Sequence, residues 1–227
     1  MPNMKCSKSD PPLGAIIVSK VTNAPVKVEW GNDTSFEVEG IKLSTSASIV
    51  RYFGRTYPKN NLYGQDVLSR TEVDHWLTFT LGPLACQGEF AEALSYLNSV
   101  LTADKKYLVG DKVSGADYAV FGALFAAGQW QGLLGNNSDQ FPNVLKWYKF
   151  MSGLPDVKSV IAGLPKDVIP KAVPLMTNAG GAKGGKSGTR GAPAGQPKQT
   201  KDEGKFVDLP GAEEGKVIVR FPPEASG

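Results

Sequence analysis

The sequence predicts a small α+β layer packed on an all-helical bundle, followed by a basic linker and a final strand-bearing stretch. Three observations carry this. Short β-branched and aromatic runs crowd the first 65 residues, helix-spaced apolar stripes fill 66–165, and composition shifts abruptly after 165. The 227 residues carry a net charge of +3, 41% hydrophobic and 21% charged residues, an ordinary globular balance.

In the first segment, Ala15-Ile16-Ile17-Val18 and Val26-Lys27-Val28-Glu29-Trp30 read as strands. Phe36-Glu37-Val38 and Ile41-Lys42-Leu43 read as a hairpin turning at Glu39-Gly40, and Ser46 to Arg55 reads as a helix facing inward through Ile49, Val50 and Phe53. In the second, Val73, Trp76, Leu77 and Leu81 share a helical face, as do Phe90, Ala93, Leu94, Leu97, Val100 and Leu101, and Tyr118, Phe121, Leu124 and Phe125. Val144, Leu145, Trp147, Tyr148 and Met151 mark a further helix, opened by Phe141-Pro142-Asn143 and closed by Gly153-Leu154-Pro155. Ser114 and Asp117 have the spacing of a capping box, with Val113 and Tyr118 as its hydrophobic staple, so Asp117 is expected to be structural and not catalytic.

Residues 166–204 read as a flexible linker. Residues 1–165 hold 15 basic and 15 acidic residues, whereas 166–205 hold 8 basic and 3 acidic. From Lys171 to Gly204 there is no aromatic residue, so this stretch has too little apolar surface to offset the entropy of ordering it. Beyond it, Lys216-Val217-Ile218-Val219-Arg220-Phe221 reads as a strand with no partner, as expected of the front piece of a longer protein.

Several chemistries are disfavoured. One histidine (His75) and two cysteines (Cys6 and Cys86) give no metal-ligand spacing, no Ser-His-Asp set and no disulfide framework. His75 is expected at a helix surface or domain seam. Gly180-Gly181-Ala182-Lys183-Gly184-Gly185-Lys186-Ser187 fits the phosphate-loop pattern, but Pro174 precedes it and Gly188-Thr189-Arg190-Gly191 follows, so the strand and helix that such a loop needs are missing. No apolar run nears the ~20 residues of a membrane span, and the first ten residues lack an apolar signal core.

Tyr107 to Asp117 (YLVGDKVSGAD) resembles the helix-capping signature of the glutathione-transferase-like helical domain. Leu43 to Phe53 (LSTSASIVRYF) resembles the strand-to-helix segment that ends that superfamily's thioredoxin-like half. Lys205 to Glu213 and Val219 to Gly227 resemble the opening of the catalytic domain of eukaryotic glutamyl-tRNA synthetases, and Asp10 to Ala15, Asn61 to Gly64 and Thr71 to Leu77 resemble the animal glutamyl-prolyl type. The resemblance implies a degenerate thioredoxin-like half over 1–65 and a glutathione-transferase C-terminal-like bundle over 66–165. It also implies a linker over 166–204 and an incomplete class I catalytic domain with a truncated Rossmann-type opening strand over 205–227.

It further implies a non-catalytic docking module of a cytoplasmic ligase that joins glutamate to tRNA using ATP. Its partners would be other glutathione-transferase-like domains of synthetases or scaffold proteins in a multi-synthetase complex. Arg220 would bind the substrate glutamate, and Glu224, Ala225 and Ser226 would begin the ATP site, all in the full-length enzyme. Lys146 and Trp147 match a partner-binding position, although the family has Arg where this chain has Lys146. No cofactor or metal is implied for this segment, and the basic linker would contact tRNA weakly.

Glutathione chemistry is expected to be absent. Active relatives carry Glu or Gln where this chain has Thr45, before Ser46, and a cis-Pro ahead of the preceding strand. No Pro lies between Pro25 and Pro58.

Overall fold

The computed structural model describes residues 1–102, 104–136 and 140–176. The chain divides into two units, Met1–Ala182 and Lys183–Gly227, and all described residues belong to the first. The phosphate-loop-like stretch, Arg220, Glu224, Ala225 and Ser226 lie outside the described residues.

The α+β half contains β1 (Asn3–Ser7), α1 (Leu13–Val21), β2 (Lys27–Gly31), β3 (Ser35–Val38), β4 (Ile41–Leu43) and α2 (Ser46–Thr56). The sheet order is β2-β1-β3-β4. β1 runs parallel to β2 and antiparallel to β3, and β3 pairs antiparallel with β4. The β3–β4 turn has positive φ at both Glu39 (50°) and Gly40 (79°), the type I′ geometry that suits a twisted hairpin. α2 buries Ile49, Val50 and Phe53, as its periodicity predicts.

Two features of this half differ from expectation. Ala15 to Val18 lies in α1, not in a strand. The run is buried on every side, so it shows no polar stripe by which a helix could be told from a core strand. α1 packs against α2, α5 and α8, and glycines set its approach to α5. A Cβ on Gly14 would sit 2.7 Å from the Tyr118 carbonyl oxygen, and one on Gly122 would collide with the Gly14 amide. The strand that pairs with β2 is instead β1, where Met4 and Cys6 face inward while Asn3 and Lys5 face water.

The helical half contains α3 (Val67–Leu81), α4 (Phe90–Val100), α5 (Gly115–Ala126), α6 (Gly128–Asn136), α7 (Pro142–Gly153) and α8 (Pro155–Ala162). α3 begins at an Asp66 cap, whose carboxylate accepts from the Ser69 amide at 2.9 Å. Asn98, just before the end of α4, caps α7 from outside. Its side-chain oxygen accepts from the Asn143 amide at 2.9 Å and the Val144 amide at 3.3 Å. Phe121 stacks on Tyr148, with ring centroids 4.8 Å apart, and joins α5 to α7.

The folded part extends past the expected boundary at 165. Residues 166–168 form a single helical turn with Val168 buried, and 169–176 run extended along the bundle. Main-chain hydrogen bonds to α6 and two glycine clearances seat this stretch, with Val168 buried and Leu175 partly buried on the core.

Candidate functional site

The two halves meet at a cleft of about 430 Å³. Asp10, Pro11, Pro12 and Leu13 at the start of α1 line it, with Thr34 ahead of β3, Ser44 to Ser46 at the start of α2, and Thr80, Gln87 and Gln129 from the bundle. This is where the resemblance implies a glutathione site, and its chemistry is poor for that ligand. Among the described residues no Lys, Arg or His lines it, and an anionic peptide needs cationic or backbone anchors. Asp10 adds charge of the wrong sign.

Two threonines of the cleft serve the fold. Thr45 caps α2, accepting from the Ser48 amide at 3.2 Å and donating to the Ser48 hydroxyl at 2.9 Å. Thr34 Oγ1 accepts from the Ser7 amide at 3.2 Å. Among the described residues no peptide bond is cis. Pro11, Pro12 and Leu13 offer no side-chain donor to activate a thiol.

Ser114 and Asp117 form the capping box of α5. Asp117 is fully buried and accepts from the Leu108 amide at 2.8 Å, and from the Ser114 amide and hydroxyl at 2.9 Å each. Burial pushes its carboxyl up to about 6, against the pull of those bonds. With no exposed edge, it is a structural acceptor. The Trp147 indole also acts on this carboxylate, although Nε1 closes no hydrogen bond of normal geometry.

That position changes how Trp147 is to be read. Its ring is only 3% exposed, so it holds α7 against the core and offers no surface to a partner. Lys146, one residue before, is exposed on α7. His75 lies exposed on α3, 3.3 Å from the Tyr96 hydroxyl and edge-on to Trp76, at the α3–α4 surface. Cys6 is buried, which raises its thiol to about 12, while Cys86 is exposed. Among the described residues no cluster of His, Cys, Asp or Glu could hold a metal, and no helix is long and apolar enough to cross a membrane.

Sequence reasoning missed a polar network that joins α2 to α3. Arg51 Nε meets Asp74 Oδ1 at 2.7 Å, Tyr63 donates to Asp74 Oδ2 at 2.5 Å, and Arg55 donates to the Tyr63 hydroxyl at 2.6 Å. Desolvation opposes the charge on Asp74, but the hydrogen bonds from Tyr63 and Arg51 and the charge of Arg51 hold its carboxyl below the ordinary value. No fixed spacing announces this set, since the loop between α2 and α3 is what carries Tyr63 into place. Beside it, Val67 and Leu68 open α3 at 80% and 71% exposure. Ile41, on edge strand β4, is 61% exposed.

Comparison with known proteins agrees with this geometry. Residues 83–155 match the glutathione S-transferase C-terminal domain family. Among solved structures, the unclassified glutathione S-transferase 2 of Bombyx mori aligns over 71% of this chain and 94% of its own at 17% identity, with a TM-score of 0.59. Isozyme E7 of Drosophila melanogaster aligns over 70% and 90% at 18% identity, with a TM-score of 0.60. These likenesses establish the fold alone.

The sequence relatives are ligases. The bifunctional glutamate/proline–tRNA ligase of Drosophila melanogaster is 34% identical over 99% of this chain and 12% of its own length. That of Mus musculus is 35% identical over 96% and 13%. The cytoplasmic glutamate–tRNA ligase of Arabidopsis thaliana is 29% identical over 100% and 31%. The chain thus spans about an eighth of the length of the bifunctional relatives. It carries a glutathione-transferase-like fold, a thioredoxin-like layer followed by a helical bundle, homologous to the N-terminal region of eukaryotic glutamate–tRNA ligases.

Proposed function

We propose that this chain is a non-catalytic docking module that assembles a cytoplasmic glutamate–tRNA ligase into a multi-synthetase complex. The observation that carries the reading is a pairing. Among the described residues the cleft between the halves has no cation for an anionic ligand, while large apolar side chains stand exposed at the start of α3 and on edge strand β4. Exposed apolar side chains on folded elements suit association with another folded domain. The partner is a second domain of this same fold, belonging to a synthetase or scaffold protein.

Exposed Val67 and Leu68 on α3 and Ile41 on edge strand β4 carry contacts, and α7 around Lys146 carries another. Trp147 contributes by fixing α7. In the full-length ligase, which uses ATP to join glutamate to tRNA, Arg220 binds the glutamate carboxylate through its planar guanidinium. Glu224, Ala225 and Ser226 begin the ATP site, and the basic residues of the linker add weak, salt-sensitive attraction for tRNA.

Analytical ultracentrifugation of the purified chain with glutathione-transferase-like domains of other synthetases tests the reading. A one-to-one complex is expected, together with no retention on immobilised glutathione and no tRNA charging by this chain alone. Val67→Asp with Leu68→Asp is expected to weaken association at least tenfold, or about 1.4 kcal/mol, without lowering the melting temperature. Binding unchanged in that variant, or no complex with any such domain, removes the assignment of this face.

A further inference from the structure

Residues 169–176 follow the last helix, yet they turn back over the bundle and reach the cleft, where Val173 forms part of the lining. Their seat on α6 fits a main chain closely. The Val173 amide donates to the Gly128 carbonyl at 2.9 Å, and the Met176 amide donates to Gln129 Oε1 at 2.8 Å. Gln129 is buried, and its own amide donates to the Gln87 carbonyl at 3.3 Å, so its side chain is oriented as an acceptor for the segment.

Gly128 and Gly132, one helical turn apart, clear the path. A Cβ on Gly128 would lie 2.6 Å from the Lys171 carbonyl oxygen, and one on Gly132 would collide with the Val173 carbonyl oxygen. Upstream, Asp167 pairs with Lys8, just beyond β1, at 2.8 Å. The segment is therefore tied to both halves.

We propose that residues 169–176 form a detachable strap that makes one wall of the cleft between the halves, so that lifting the strap widens the cleft for a ligand. Its energetics suit that role. Ile169, Val173 and Met176 stay 59%, 42% and 50% exposed and Leu175 is only partly buried on the core, so little apolar area holds the strap beside its hydrogen bonds. Such segments open at far lower cost than the core. Pro170 and Pro174 restrict the chain to extended conformations, which lowers the entropy lost on reseating. Pro174 has no amide to satisfy, and the donors on either side, Val173 and Met176, are the ones that α6 accepts. The strap acts in cis and needs no docking partner, so it stands or falls separately from the proposed assembly role.

Gly132→Ala tests it. Ala is the better helix former, so α6 is retained while the new methyl displaces the Val173 carbonyl. Amide hydrogen exchange should quicken about tenfold or more at Val173 and Met176, with the Gln131 amide inside α6 unchanged. Fluorescence of anilinonaphthalene sulfonate, a probe of newly opened apolar clefts, should rise at least about twofold. Val173→Pro removes the donor to Gly128 and should act in the same way; it alone decides if Gly132→Ala loses its helical circular dichroism. The strap is refuted if Val173 and Met176 exchange at the rate of an unstructured peptide in the unaltered chain, or if neither variant quickens them. Faster exchange with no gain in dye fluorescence refutes the strap as a wall of the cleft.

Discussion

At the scale of single residues, Asp117 shows how burial and hydrogen bonding oppose each other at one carboxyl. Three donors converge on it, which favours the charge, and complete burial disfavours it more strongly. Because the folded-state value of about 6 lies above the ordinary value of 3.8, the native protein binds more protons than the unfolded chain between them. Stability from this group is therefore full below pH ~4 and falls as pH rises to ~6. Asp117→Asn cannot titrate, and it sets an amide donor against donors, for a cost of about 2–3 kcal/mol. The stability gap between the two proteins should widen by about 1 kcal/mol from pH 7 to pH 5, because Asp74 and every other acid cancel in the difference. Urea unfolding at the two pH values measures this, and a gap that narrows toward acid contradicts it. The capping role of Asp117 is readable from four consecutive residues, since a box is local. The Arg51–Asp74–Tyr63–Arg55 network is not, because its members come from two helices and a loop and only tertiary structure brings them together.

Between elements, the decisive contact is α1 against α5. Gly14 and Gly122 let the two backbones approach to a distance that a methyl group would forbid. Gly14→Ala or Gly122→Ala should destabilise the protein by about 2 kcal/mol or more, despite the intrinsic preference of Ala for helices. Thr45→Ala should cost about 1 kcal/mol through loss of the α2 cap. A thermal or urea midpoint unchanged in either glycine variant would contradict the close packing. This contact also explains where the sequence misleads. Helices α2, α4, α5 and α7 each show a stripe or a cap, so local pattern and final structure agree. α1 is packed against α2, α5 and α8, and Leu13 to Val18 are all apolar or glycine, so the period disappears over this run. β1 carries a readable alternation at Met4 and Cys6, but five residues beside charged neighbours make a faint signal. The Asp66–Ser69 box that opens α3 is not read from the sequence, and neither is the seating of 166–176, which rests on main-chain hydrogen bonds to α6 and on glycine clearances.

For the whole described fold, the question is whether the α+β layer and the helical bundle are two folding units or one. The contacts argue for one. α1 belongs to the first half in sequence but is packed on α5 and α8 of the second. The Lys20 ammonium meets the Ser159 hydroxyl on α8, and Arg51 on α2 meets Asp74 on α3. Removing the bundle would expose the apolar face of α1, at roughly 25 cal/mol per Å² of surface returned to water, a loss that a four-stranded sheet with two helices has little reserve to absorb. Loss of either half should therefore unfold the other, with a single transition in urea. Cys6 reports on the sheet, since its buried thiol reacts with a thiol reagent only when that half opens, whereas the exposed Cys86 reacts at once and calibrates the label. Far-UV circular dichroism reports chiefly on the bundle. The midpoint for Cys6 labelling should coincide with the midpoint for helix loss. If Cys6 becomes reactive at a urea concentration where helicity is intact, the halves are separate units, and the α1–α5 contact does not couple them.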